Sequence, residues 1–357
     1  MVTVRELDDE YPAWNQMVAD SPQGNVFARS DWLRMLCDTD PSLRVLILGC
    51  FDDSGRLVGG QAIPWQTLWG LHLSAEFEFF YCGPMLAPAG RGNLARRTAD
   101  HHQIVTALAQ ALSDRLAYIH VDAHPAFQDV RPFLYAGWQA TPAYTHIWRM
   151  SDTEQIWQDM NREKRREIRR AQETFTFRAE EDAASFDAFL PLYHQTMRKF
   201  TWQPSVRWQN IFIRRFAWMR QRDGCRLYTA RDAGGKLAAG VVVLLSREDA
   251  TAYLWRQGSS PDFVAAGGVP ALYWHAACDL ASDFPNVNFG GSPQASLSHF
   301  KDYLGAEAVQ HFALSRRNSR RIAALEWGQR FKDLVYNVVM RVAFTPWQRL
   351  RYGRRRA

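Results

Sequence analysis

The two halves of this chain repeat one another, and that repeat limits its fold more than any other feature of the sequence. Residues 45–60, VLILGCFDDSGRLVGG, read as a strand, a turn at Asp53-Ser54-Gly55 and a second strand, and residues 226–240, RLYTARDAGGKLAAG, read the same way. Gly55, Leu57 and Gly60 thereby pair with Gly235, Leu237 and Gly240, each 180 residues further on. Later in each half a helix leads through a Tyr-x-Gly corner into a strand, in FLYAGWQATPAYTHIWRM around Gly137 and in FKDYLGAEAVQHFAL around Gly305, 168 residues apart. Asp/Gly hairpins are common in sheet proteins, but two matches in the same order favour a duplication over chance.

The repeat predicts an α+β protein of two fused layers, each a mixed, mainly antiparallel sheet flanked by helices. The boundaries read as 1–150 and 151–315, followed by a C-terminal helix and basic tail over 316–357. In the second half the pattern predicts helices over 186–200, 206–219 and 269–281, and strands over 226–231, 236–246, 250–257 and 287–289. A length of 357 residues with 47% hydrophobic and 22% charged residues fits two ordinary domains.

The longest apolar run, Leu237 to Leu245, is about half of the roughly 18 residues that span a bilayer, and the N-terminus MVTVRELDDE has no basic-then-apolar signal pattern. The expectation is a cytoplasmic protein. Five widely spaced cysteines without a CxxC pair predict buried thiols, with neither a disulfide framework nor a zinc site. The net charge of +6 is uneven, since Arg341 to Ala357 carries six arginines and no acid. Such a tail suits RNA phosphates or peripheral contact with the inner face of an anionic membrane, and a solvated terminus reads equally well. Of the 43 basic residues only Lys164, Lys199, Lys236, Lys301 and Lys332 are lysines, so each invites a reason that arginine does not satisfy.

Several segments resemble the FemAB-like (FemABX) aminoacyltransferases of the GNAT acyltransferase superfamily, over about residues 20 to 315. NVFARSDWLRML (Asn25 to Leu36) is similar to that family's opening segment, FFYCGPMLAP (Phe79 to Pro88) to its Tyr-Gly-Gly-Pro turn, and MNREKRREIRRAQE (Met160 to Glu173) to the basic helix that opens its second domain. NVNFGGSPQASLSHFKDYLG (Asn286 to Gly305) is similar to its strand end with two glycines, followed by Phe-Lys and a glycine corner. The resemblance implies tandem GNAT-like domains and transfer of an aminoacyl group onto an amine of a peptidoglycan precursor or related envelope molecule. The implied donor is aminoacyl-tRNA as co-substrate, the implied acceptor a lipid-linked or nucleotide-linked muropeptide, and no further cofactor is required. Two departures stand out. Asn288 occupies a place where the family usually has aspartate, and the helix at Arg162 runs directly to a strand near Phe175, without the helical hairpin some Fem enzymes insert there. An acyl-CoA-dependent N-acyltransferase acting on a sugar amine or small molecule is the alternative, and a non-catalytic RNA- or membrane-binding module the second.

Acyl transfer to an amine needs a neutral amine, donors aimed at the developing oxyanion and restraint of both substrates, but few catalytic side chains. The chain has no GxSxG, HExxH or P-loop pattern, which fits direct transfer. By the resemblance, Phe300 and Lys301 contact substrate phosphate or charge at the reaction centre, after the turn at Gly290, Gly291, Ser292 and Pro293. Gly267 and Gly268 precede an apolar helix and either bind the coenzyme A pyrophosphate, as that place does in GNAT enzymes, or simply cap the helix. Arg162, Arg166 and Arg169 share a helix face that either clamps a diphosphate or forms a salt-bridged surface. Tyr253 and Trp255 share a strand face and line a substrate groove or belong to the core. His120, Asp122 and His124 have a spacing that can hold a metal, but their position at a strand end points to a corner, and no metal is expected.

Overall fold

The computed structural model describes residues 2–318 apart from 9–10, 69, 76–79, 89–91, 181, 199–204 and 293. The expected C-terminal helix and arginine-rich tail, with Phe79, Phe200 and Pro293, therefore lie outside the described residues.

The first half runs β1 (Thr3–Glu6), α1 (Tyr11–Asp20), α2 (Ser30–Thr39), β2 (Leu43–Phe51), β3 (Leu57–Leu68), β4 (Leu71–Ser74), β5 (Met85–Leu86), α3 (Leu94–Ser113), β6 (Tyr118–Asp122), α4 (Arg131–Tyr135) and β7 (Gln139–Arg149). The second runs α5 (Thr153–Asp159), α6 (Arg162–Thr174), β8 (Thr176–Glu180), α7 (Ala183–Arg198), α8 (Val206–Arg220), β9 (Cys225–Arg231), β10 (Leu237–Ser246), β11 (Thr251–Ser259), α9 (Pro261–Ala265), α10 (Gly268–Leu280), β12 (Asn286–Gly291), α11 (Ala295–Tyr303) and β13 (Glu307–Arg317). The predicted second-half helices and strands all form, with ends shifted by a few residues.

Local chemistry explains the repeat. In the hairpin β2–β3 the Asp52 carboxylate accepts from the N–H groups of Ser54 and Arg56, and in β9–β10 the Asp232 carboxylate accepts from those of Gly234 and Lys236. Each turn closes on a left-handed glycine, Gly55 at φ +76° or Gly235 at φ +79°, a conformation that glycine adopts without a Cβ penalty. Gly60 and Gly240 are needed for packing, because a Cβ there would meet the ring of Trp14 from α1 at 2.5 Å or of Phe189 from α7 at 2.7 Å.

The strands form one sheet in the order β1-β2-β3-β4-β6-β13-β7-β12-β11-β10-β9-β8, with β5 beside β3. Two neighbours are parallel at equivalent places, β4 with β6 and β11 with β12; the other pairs are antiparallel. The halves exchange their last strands. Strand β13, from the end of the second half, lies against β6 of the first, while β7 lies against β12 of the second.

Strand alternation divides the core. Val242 and Leu244 of β10 face a cluster with Phe27, Trp32, Phe189 and Phe212, to which both halves contribute. Val241, Val243 and Leu245 point to the other face, under α6 and α10. In the first half Leu46, Leu48 and Cys50 turn to a third cluster, beneath α3. Cys50, Cys82 and Cys225 are buried as expected of structural thiols, but Cys37 is only partly covered and Cys278 is exposed, contrary to the sequence expectation. No helix among the described residues is long and apolar enough to cross a membrane.

Candidate active site

The exchange of strands brings the ends of β6 and β12 to either side of one cavity of about 660 Å³. Its opening follows from strand geometry. Parallel β11 and β12 pair only from Thr251 with Asn286 to Tyr253 with Asn288, and just beyond, β11 carries a bulge at Trp255, which faces no residue of β10. Trp255 and Arg256 form one wall, Gly291 and Ser292 the next, and Asp122 and His311 lie on the β6 and β13 side.

The cavity edge is fixed by a buried network. The Asn288 side-chain oxygen accepts from the Thr145 hydroxyl at 2.6 Å and the Gly290 N–H at 2.7 Å, while its amide donates to the Tyr81 hydroxyl at 3.0 Å. An amide serves both as acceptor and as donor here, which an ionised aspartate does not. This is the physical reason for asparagine at 288, and it makes the residue a latch between the halves. Burial drives the Tyr81 phenol far above its ordinary value, so it stays neutral.

Lys301 does not reach the cavity. Its Nζ donates to the carbonyls of Phe289 at 3.0 Å, Gly290 at 2.7 Å and Gly291 at 2.8 Å, which uses all three of its protons. The side chain is buried, and burial lowers its pKa to about 8. The lysine expected to contact substrate instead fixes the turn that does line the cavity. Only an ammonium converges on three carbonyls in this way; the planar guanidinium fork does not. Gly290 sits in this turn at φ +71°, against the ring of Phe80.

Three ionisable groups of the cavity were not singled out as binding or catalytic residues from the sequence. His311 Nδ1 lies 3.9 Å from Asp122 Oδ1. Burial raises the Asp122 carboxyl, opposed by His311 and His120, and burial lowers the His311 imidazole, opposed by Asp122. Asp122 is thus a carboxylate of increased basicity beside a largely neutral imidazole, suited to accept a proton. Arg256 lies with its guanidinium carbon 4.6 Å from the centre of the Trp255 ring. Aligning the repeats at the 168-residue offset sets Asp122 opposite Gly290, and Arg256 is a cation within an otherwise mostly apolar strand; those were the available signals.

His146 Nε2 lies 3.1 Å from Asp302 and 3.5 Å from the Ser298 hydroxyl, which gathers a serine, a histidine and an acid. Both partners share the same nitrogen, whereas a serine relay needs the acid on the other one, and His146 Nδ1 has no hydrogen-bond partner among the described residues. The cluster therefore does not make an activated nucleophile.

The remaining expected residues divide clearly. Trp255, Gly291 and Ser292 line the cavity. Tyr253 is buried, with its hydroxyl on Asp249 and its ring 4.7 Å from that of Phe80. Phe300 packs on the second-half core under Lys164. Arg162, Arg166 and Arg169 are exposed on α6 and do not line the cavity; Arg169 lies over Trp157. Asp122 faces His311 and His124 faces Asp249, so the three residues with metal-like spacing do not converge. Gly267 and Gly268 open α10, but a Cβ on Gly268 would meet the Phe263 ring at 2.3 Å and one on Gly267 the Glu167 side chain at 2.8 Å. Both glycines therefore allow close packing at this helix start, against the Phe263 ring of α9 and against Glu167, which is itself paired with Lys164.

The profile of the acetyltransferase (GNAT) domain matches residues 158–302. The fold is similar to that of FemX (TM-score 0.63, 11% identity, 87% of this chain and 96% of the other). It is also similar to a tandem GNAT protein from the clavulanic acid biosynthesis pathway (0.52, 14%, 89% and 99%). A third relative in structure is the C-terminal domain of a putative lysylphosphatidylglycerol synthetase from Agrobacterium fabrum (0.52, 12%, 92% and 95%). No curated protein matches the sequence. Residues 158–302 thus match the GNAT domain, and the chain as a whole has a fold similar to that of FemX and of a tandem GNAT protein.

Proposed function

We propose that this protein transfers an aminoacyl group from aminoacyl-tRNA to an amine of a peptidoglycan precursor or related envelope molecule, with the central cavity as the reaction site. The observation that carries this reading is the pairing of Asp122 and His311 in a cavity to which both halves contribute. Asp122 takes a proton from the attacking ammonium, which frees the lone pair to form the new amide bond as the ester bond to the donor breaks; the ribose oxygen leaves as the hydroxyl, with the second proton that the nitrogen gives up. Among the described residues no strand pairs with β11 on its β12 side beyond Tyr253, which leaves main-chain donors near the Trp255 bulge for the carbonyl oxygen as it gains charge. The similarity in fold to FemX supports this reading.

The test is to incubate the full-length protein with soluble and lipid-linked muropeptides and a pool of charged tRNAs, and separately with acyl-CoAs, and to read acceptor mass. The expected result is a tRNA-dependent aminoacyl increment that forms at least about 10²-fold more slowly in Asp122→Asn. An increment only with acyl-CoA replaces the reading by an N-acyltransferase; no increment with either donor rejects it.

A further inference from the structure

We infer that Arg256 anchors an acidic group of the acceptor, a carboxylate or a phosphate, so that the site selects a molecule carrying an anion toward β11 and an amine toward Asp122. This rests on the transfer reading above and adds to it the charge that the acceptor must carry.

Arg256 is half-buried at the cavity wall, and among the described residues no carboxylate pairs with it. Its hydrogen bonding is thin: Nη1 donates to the Trp255 carbonyl at 3.3 Å, and Nε has no hydrogen-bond partner among the described residues. By contrast, two other partly buried arginines are matched by acids, Arg29 by Asp31 and Glu248, and Arg231 by Glu180. A guanidinium withdrawn from water without a counter-charge is costly, and an incoming anion relieves that cost.

The neighbours of Arg256 show the same deficit. Ten buried side-chain polar atoms lack a hydrogen-bond partner among the described residues. Five of them, Trp255 Nε1, Arg256 Nε, Ser292 Oγ, His146 Nδ1 and His311 Nδ1, belong to residues of this one cavity. On the β11 wall the two orphans are an indole and a guanidinium, which donate and never accept. Their complement is an oxygen that only accepts, as in a carboxylate or phosphate, and the planar guanidinium suits either. On the other side stands Asp122, whose complement is a cationic or neutral amine. The two walls together describe an amphoteric acceptor.

Calorimetric titration of the full-length protein tests this with three probes: the tripeptide Ala-Lys-Ala with a free C-terminal carboxylate, the same peptide as its C-terminal amide, and inorganic pyrophosphate. The expected result is that at least one of the two anions binds more tightly than the amide, and that Arg256→Met weakens it at least tenfold while amide binding stays the same. Preference for the peptide carboxylate or for pyrophosphate identifies the source of the anion. Arg256→Lys, which keeps the charge but not the fork, binds with intermediate strength. The inference is overturned if Arg256→Met binds the anions as the wild type does, or if neither anion binds the wild type better than the amide. The carboxylate-to-amide comparison on the wild type needs no variant to fold. Charge-dependent binding without transfer from any donor leaves the anchor standing and removes the transfer reading; transfer unchanged in Arg256→Met does the reverse.

Discussion

Phe133 and Lys301 hold the same place in the two repeats: the carbonyl of each accepts from the N–H five residues on, of Trp138 at 3.0 Å and of Ala306 at 3.2 Å, around the left-handed glycines Gly137 and Gly305. The backbone motif is the same, and the side chains differ in task. Phe133 fills the first-half core, whereas Lys301 holds the turn at Phe289 to Gly291. The helix and its corner therefore do not need a lysine; the turn at the cavity does.

Lys301→Met is expected to fold, since an apolar residue serves in the first repeat, but to lose about 2–3 kcal/mol by leaving carbonyls of the turn unpaired. Arg at 301 does not restore it. Thermal denaturation measures the loss, and transfer activity falls with it because Gly291 and Ser292 shift.

Asp122→Asn is expected to lower turnover about 10²- to 10⁴-fold, the range for loss of a general base. Stability at pH 7 stays the same or rises. The folded protein raises the pKa of Asp122, so the stability this group contributes is present below the unfolded value of about 3.9 and is lost as pH rises through the raised value. For the same reason the acid limb of the rate profile lies above the ordinary carboxylate range. A pH–rate profile and a denaturation curve at two pH values check both statements.

Gly268→Ala is expected to destabilise by about 1–3 kcal/mol or more, because its methyl group would fall inside the Phe263 ring contact. The Michaelis constant for the donor stays unchanged, since this glycine serves packing. A donor titration with the variant, beside its melting temperature, separates this from a cofactor-binding role.

Residues 1–150 and 151–318 expressed as two chains are expected to associate one to one. β6 lacks its neighbour β13 in the first fragment, and β12 lacks β7 in the second. Exposed strand edges seek partners. Size-exclusion chromatography of the mixture and of each fragment alone tests this.

The elements were legible in the sequence wherever local chemistry decides them. The turns at Asp52 to Gly55 and Asp232 to Gly235, and the corners at Gly137 and Gly305, are written in residues that form them without outside help. The exchange of β7 and β13 was not legible, because either strand offers the same alternation to either neighbour, and pairing between strands so far apart in sequence is settled by the assembled sheet. The site was legible in part. Trp255, Gly291 and Ser292 line the cavity as a motif and a strand pattern indicated, but the sequence does not say which way Lys301 points once α11 packs beside β12. Asp122 was visible only as part of a metal-like spacing, and His311 and Arg256 carried no motif, since their significance lies in what they face.

The exchanged strand also sets an order on the making of the protein. The first half needs β13 beside β6, and β13 ends at Arg317, so a growing chain that has delivered residues 1–150 cannot yet close its own sheet. The usual sequence, in which an N-terminal domain folds while the next is being translated, is not open to it. Final assembly waits for β13, and until then the future cavity edge at Asp122 is an open sheet edge that the nascent chain has to keep from pairing elsewhere.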